Sequence, residues 1–191
     1  MSGQGFQETL VCAQASGPAL TGITQQSLLG TTADASSAAK FTLPAGFFKP
    51  DGGIGRALRV TCKGRISNII TTPGTLLFEL KFGSIVVWSS GTVALNAVAK
   101  TNVTFIMDAL LRCDSVGSGT LAKLLGIGQF QSESVVGAAA GTTVSASLPA
   151  SAPVVGNGFD STASQLVDLF ATFSLTGNSI QMHEYMLESL N

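Results

Sequence analysis

The chain has 191 residues, of which 45% are hydrophobic and only 11% charged, and its formal net charge is -1. The near-neutral charge and the lack of any apolar stretch of about 20 residues exclude nucleic acid and membrane as main partners. Because typical domains carry about 25% charged residues, too few are present to cover a monomer, and we expect a subunit that buries much of its surface in an assembly.

The N-terminal third has weak strand signals. Residues 1–10 show no basic segment followed by an apolar one, so no secretory signal is predicted and folding is expected in the cytoplasm. Residues 1–8 are a candidate N-terminal arm. Short strands are expected within residues 8–15, 23–30 and 39–43, and a turn at 44–48 should insert its two phenylalanines into the core.

The middle of the chain alternates with period two, which is typical of half-buried strands. In residues 59–66, Val60, Cys62 and Ile66 share one face while the charged side chains share the other. Residues 75–82 repeat the pattern, and Gly83 and Ser84 predict a tight hairpin turn into residues 85–88. Residues 102–115 are predicted to form one long strand.

The C-terminal part is predicted to form two further hairpins. A turn at 116–119 should join the long strand to another over residues 121–134, and a turn at 176–178 should join strands 165–175 and 179–190. Between them, residues 137–159 form a long uncharged loop with one edge strand near 143–148. We expect this loop to lie on a neighbouring subunit.

About eight to ten strands and no helix longer than a turn or two predict an all-β fold. We expect residues 1–191 to form a single antiparallel β-sandwich domain, jelly-roll-like in topology.

The residues that carry most enzyme and metal chemistry are scarce. His183 is the one histidine, so a His-based triad or zinc site is not expected. Cys12, Cys62 and Cys113 are too widely spaced for a metal motif and are interpreted as small buried apolar residues. A glycosidase-like carboxylate pair drawn from Glu184, Glu188, Asp160 and Asp168 is a weak alternative. We predict no enzyme activity and no cofactor.

One strand carries a stripe of positive charge. Arg59, Lys63 and Arg65 share its outer face, which leaves two interpretations. Acidic residues on a neighbouring strand could balance a solvated face, or the stripe could dock on an acidic patch of a partner protein.

Several segments resemble small structural proteins of tailed bacteriophages and their prophages. They are GFQETLVCAQASGPAL near the start, RVTCKGRISNIITTPGTLLFELKFGSIVVW in the middle, SESVVG and LPASAPVVGNGFDST further on, and VDLFATFSLTGNSIQMHEYMLESLN at the end. The resemblance covers nearly the whole chain and includes capsid decoration, or cement, proteins, which sit as trimers on the phage head, while others of similar size belong to tails. It supplies no active site to carry over.

The resemblance implies a virion protein on the outer head surface that binds itself and the major capsid protein. Contact candidates are the basic stripe, the N-terminal arm and the uncharged loop, represented by Arg59, Lys63, Arg65, Gly5, Phe6, Ala138, Val144 and Val154. A phage tail or receptor-binding component is the first alternative. A lectin-like or carbohydrate-active domain is the more distant one.

Overall fold

The computed structural model describes residues 7–48, 56–69 and 71–190, which form eleven strands and one short 3-10 helix, Ala35–Ala39. No helix in these ranges could span a bilayer. The strands are β1 Gln7–Cys12, β2 Gln26–Ser27, β3 Phe41–Leu43, β4 Ala57–Asn68, β5 Thr75–Phe82, β6 Ile85–Ala94, β7 Lys100–Ser115, β8 Lys123–Ser132, β9 Val144–Leu148, β10 Gln165–Phe173 and β11 Ser179–Leu190.

Two antiparallel sheets pack face to face. The six-stranded sheet has the order β1-β11-β4-β7-β8-β9, and the five-stranded sheet has β10 between β5-β6 on one side and β2 and β3 on the other. The chain passes repeatedly from one sheet to the other, as in a jelly roll, with the β8-β9 hairpin added to the larger sheet. The predicted all-β, jelly-roll-like sandwich is therefore confirmed.

Strand alternation builds the core as the sequence predicts. In β4, Leu58, Val60, Cys62 and Ile66 are buried, and in β7 the inward residues from Phe105 to Leu111 are buried. The turn after β3 inserts Phe47 and Phe48, as expected. Gly83 and Ser84 join β5 to β6, because Phe82 pairs directly with Ile85.

The predicted hairpin of the last two strands is wrong. β10 pairs with β5 and β11 pairs with β4, so the turn between them crosses from one sheet to the other. Asn178 fixes this corner: its buried side-chain amide donates to the carbonyl oxygen of Pro73 at 2.7 Å, and its side-chain oxygen accepts from the amide of Ile69 at 3.1 Å. These side-chain hydrogen bonds stabilise the crossing, which could not be predicted from the turn residues of the sequence.

The uncharged loop packs against its own sandwich, and its expected contact with a neighbouring subunit stays a prediction. The amide of Gly156 donates to the Leu124 carbonyl at 2.9 Å, and the amide of Asn157 donates to the Val86 carbonyl at 3.2 Å. The loop therefore bridges β8 of one sheet and β6 of the other. A Cβ at Gly156 would lie 1.8 Å from the Val87 carbonyl oxygen, so only glycine permits this approach.

Candidate assembly surface

The outer face of the six-stranded sheet carries a continuous line of apolar side chains. Leu110 of β7 pairs directly with Ile127 of β8, and Leu125 lies two residues before Ile127 on the same face. Val155 from the uncharged loop forms a bridge with Leu125. We call Leu110, Ile127, Leu125 and Val155 the apolar row. Apart from the half-buried Leu125, its members are exposed to solvent.

More apolar side chains are exposed at the same end of the sheet. Val154, which precedes Val155 in the chain, is 74% exposed, and Val116 and Leu121 are exposed at the turn between β7 and β8. Six of the twelve exposed large apolar residues in the described part of the chain thus lie at this end of the sheet. A shallow cavity of about 270 Å³ is lined by Leu110, Arg112, Leu125 and Ile127. Concentrated exposed apolar surface of this kind is typical of protein contacts.

The basic stripe beside the apolar row is largely neutralised within the chain. The Arg59 Nε lies 2.9 Å from Oδ2 of Asp108 on β7, and the Lys63 Nζ lies 2.8 Å from Oε2 of Glu184 on β11. The Asp108 carboxylate raises the pKa of Arg59, and Lys63 lowers the pKa of Glu184. The structure thus shows the balanced arrangement, in which neighbouring strands supply the acids.

Arg65, the third residue of the stripe, is bonded to a side-chain amide instead of a carboxylate. Its guanidinium donates to Oε1 of Gln181 through Nε at 3.0 Å and through Nη2 at 2.6 Å. Docking of the stripe on an acidic partner therefore has to compete with bonds that the chain already makes.

The other predicted contact residues have different surroundings. Gly5 and Phe6 lie outside the described residues, as does most of the predicted arm, while residues 7 and 8 begin β1. Val144 is half-buried against the core, and Val154 is exposed. The side chain of Ala138 is buried within the single chain, so it differs from the exposed Val154.

Ala138 is buried because polar anchors hold its loop against the sandwich. The buried Asn96 donates through Nδ2 to the Ala138 carbonyl at 2.8 Å. Glu133 accepts at Oε1 from the buried Lys100 at 2.5 Å and from the amide of Gly141 at 2.9 Å. The hydrogen bond from Lys100 and then that from Gly141 lower the pKa of Glu133.

Sequence reasoning missed Leu110 and Ile127, although a signal for Leu110 was present. Leu110 alternates in β7 with Asp108 and Arg112, on the face assigned to solvent. An apolar residue at an outward position of a patterned strand indicates a contact surface when other exposed apolar residues lie beside it. Ile127 could be paired with it only after the β7-β8 register was known.

In the described part of the chain, the potentially reactive side chains are divided between the two sheets. Ser16 Oγ lies 2.8 Å from Nδ1 of the exposed His183 on the larger sheet. Glu184 shares that sheet, whereas Asp168 lies on the other sheet, paired with Lys40. Glu184 and Asp168 are therefore separated by the sandwich, whereas Glu188 lies on the same strand as Glu184.

The cysteines differ in exposure. Cys62 is buried and Cys113 half-buried, and burial raises the pKa of both thiols. Cys12 is exposed at the end of β1, so its interpretation as a buried residue is wrong. Edge position explains this, because β1 has a neighbour on one side only.

Comparisons with known proteins give little similarity in sequence. No protein-family profile matches the chain, and no curated protein matches it. Among solved structures, a similar one is the CBM2 module of the evolved Dit of Lactobacillus casei BL23 phage J-1. It is 11% identical over 98% of each chain, with a TM-score of 0.32. So distant a likeness does not indicate what this chain binds.

Proposed function

We propose that the chain is a non-enzymatic structural subunit of a phage virion that associates with further copies of itself through the apolar row. The observation that carries the proposal is the exposed line from Leu110 to Val155, on a sheet face where acids of the same chain pair with two of the three stripe residues. Fully burying one such side chain contributes about 1.5–3 kcal/mol, so a few together can hold an interface.

The charges near the apolar row favour a second copy as its occupant. Arg112 and Asp114 form an exposed pair at 2.9 Å beside the cavity. A second copy brings the same cation and anion, so opposite charges can meet across the interface without an unpaired charge being buried. A strongly acidic or strongly basic partner would not offer both an opposite charge to Arg112 and one to Asp114.

The resemblance to decoration proteins supports the outer head surface as the location and the major capsid protein as the second partner. A trimer is the expected oligomer on the same ground. A subunit that binds only the assembled shell would stabilise it by mass action. The low charge of 11% agrees with a protein that covers its surface with other protein.

The double variant Leu110→Ser/Ile127→Ser is expected to convert an oligomer into a monomer of 19.5 kDa. Losing two buried apolar side chains should weaken self-association by about a hundredfold or more. Sedimentation velocity over a concentration series measures the change.

The matched control is Ile23→Ser/Leu175→Ser, at residues outside the apolar row. Ile23 is 52% and Leu175 43% exposed, against 56% for Ile127 and 48% for Leu110. This control should keep the wild-type mass. A monomeric wild-type chain, or equal loss of association in both variants, would contradict self-association through the row.

In purified particles, we expect cryo-EM density for this chain on the outside of the head, in copies numbering in the hundreds. Gold labelling of a tagged chain gives an independent location. Density restricted to the tail would replace the decoration role with the tail alternative, while absence from particles would remove the virion role altogether.

A further inference from the structure

A second surface feature lies on the opposite side of the molecule from the apolar row. A cavity of about 490 Å³ opens between the outer face of the five-stranded sheet and the segment that precedes β3. Asp168 and Phe170 of β10 form its floor, and residues 18–34 contribute most of its wall. Its size falls within the range of about 300–1,000 Å³ of pockets that bind small molecules.

The floor and wall are held in place by hydrogen bonds within the chain. The Asp168 carboxylate accepts from Ser27 Oγ at 2.7 Å and pairs with the Lys40 ammonium at 2.7 Å. Asp34 accepts at Oδ2 from the amide of Thr31 at 2.8 Å and from its hydroxyl at 3.1 Å. The polar groups are therefore positioned before any ligand arrives, which lowers the entropy cost of binding.

The charges of the cavity favour a neutral ligand. Lys40, the cation in its lining, is already paired with Asp168, and Asp34 is bound to its own turn. An anion would meet the carboxylates of Asp34 and Asp168, while Lys40 is paired with Asp168. The nearby Lys81 donates to Gln25. A cation would have to compete with the hydrogen bonds that both carboxylates already accept.

The remaining lining is rich in uncharged hydrogen-bonding groups beside one aromatic ring. Gln25, Gln26, Ser27 and Thr31 contribute amides and hydroxyls, and the Phe170 ring lies among them. The Lys81 ammonium sits 4.6 Å from the centre of that ring, and its Nζ donates to Gln25. Amides, hydroxyls and carboxylates suit ligands whose hydroxyls both donate and accept, and an aromatic ring suits their C–H faces.

We propose that this cavity binds a neutral mono- or disaccharide, independently of self-association through the apolar row. From the wall, the Gln26 side-chain nitrogen donates to a sugar hydroxyl, since its oxygen already accepts from the amide of Gly22. The Thr31 hydroxyl, which donates to Asp34, accepts from another sugar hydroxyl. Phe170 supplies an apolar contact at the floor beside the Lys81 ammonium. The class of ligand follows from the mixture of paired charges, amides, hydroxyls and one aromatic ring.

The test is titration of the full-length, ¹⁵N-labelled chain with glucose, galactose, N-acetylglucosamine and rhamnose, and with lactose, maltose and chitobiose. Shifts of amide signals from Ser27, Gly30 and Thr31 report binding at the cavity. The double variant Gln26→Met/Thr31→Val keeps side-chain size while removing two hydrogen-bonding groups. We expect it to weaken binding at least about tenfold.

The matched control is Gln129→Met/Thr104→Val, which changes an exposed pair on the other sheet and should leave the affinity unchanged. Sodium phosphate and putrescine serve as anionic and cationic probes. A saccharide that shifts the cavity signals and binds more weakly only to the Gln26/Thr31 variant supports the proposal. No shift with any sugar of the panel, equal affinity for both variants, or binding of a charged probe alone would overturn it.

Discussion

Replacing Phe159 with alanine is expected to lower the free energy of unfolding by about 3–5 kcal/mol, because the ring is fully buried. Its centroid lies 4.9 Å from that of Phe82 and 5.6 Å from that of Phe48. These three rings join the end of the uncharged loop, β5 and the turn after β3. Removing one leaves a cavity that two rigid neighbours can only partly fill.

The loss should extend from the core to the assembly surface. The amide and carbonyl of Phe159 bond to the carbonyl and amide of Ala122 at 2.9 and 3.1 Å, next to the start of β8. Residues 149–158, which carry Val154 and Val155, depend on this anchor at their C-terminal end. We therefore expect their amides to exchange with solvent faster in Phe159→Ala, measured by hydrogen exchange alongside urea unfolding.

The control for this experiment is Val154→Ala, which shortens a side chain that is 74% exposed and should change the free energy of unfolding by less than about 0.5 kcal/mol. If Phe159→Ala costs no more than this control, the aromatic cluster does not hold the loop. The total free energy of unfolding of a typical domain is only about 5–15 kcal/mol, so the expected loss is a large part of the stability.

The sequence predicted the faces of the strands better than their partners. Alternation in β4 and β7 assigned inward and outward residues correctly, because the period of two is local. Pairing is not local: β11 presents the same alternation whether it pairs with β10 or with β4. Only the fold shows that it pairs with β4 and that Asn178 turns the corner.

At the candidate assembly surface, too, the sequence indicates local properties of residues but not which distant residues they contact. The acids that neutralise Arg59 and Lys63 come from strands 49 and 121 residues further along the chain, so composition could suggest them but not identify them. Ala138 looked like a surface residue because its segment is small and uncharged. Its burial depends on a hydrogen bond to Asn96, which lies 42 residues earlier.

Gly126 links the core to the apolar row and is the second position at which a small change should have a large effect. It lies in β8 between Leu125 and Ile127 and faces inward, where the buried indole of Trp88 rests on it. A Cβ there would lie 2.4 Å from Trp88 Cδ1 and 2.6 Å from Nε1. The indole Nε1 also donates to the Gly126 carbonyl at 3.1 Å, which ties β6 to β8 across the sandwich.

Gly126→Ala is therefore expected to lower the free energy of unfolding by about 1–3 kcal/mol, since the indole must move in a packed core. Urea unfolding of Gly126→Ala, Trp88→Leu and the double variant separates this contact from other effects of the added methyl group. In the Trp88→Leu background the smaller, flexible side chain leaves room, so the cost of Gly126→Ala should fall to near zero. An equal cost in both backgrounds would show that the indole does not set the position of β8. Other contacts would then have to hold β8, and with it the apolar row, in position.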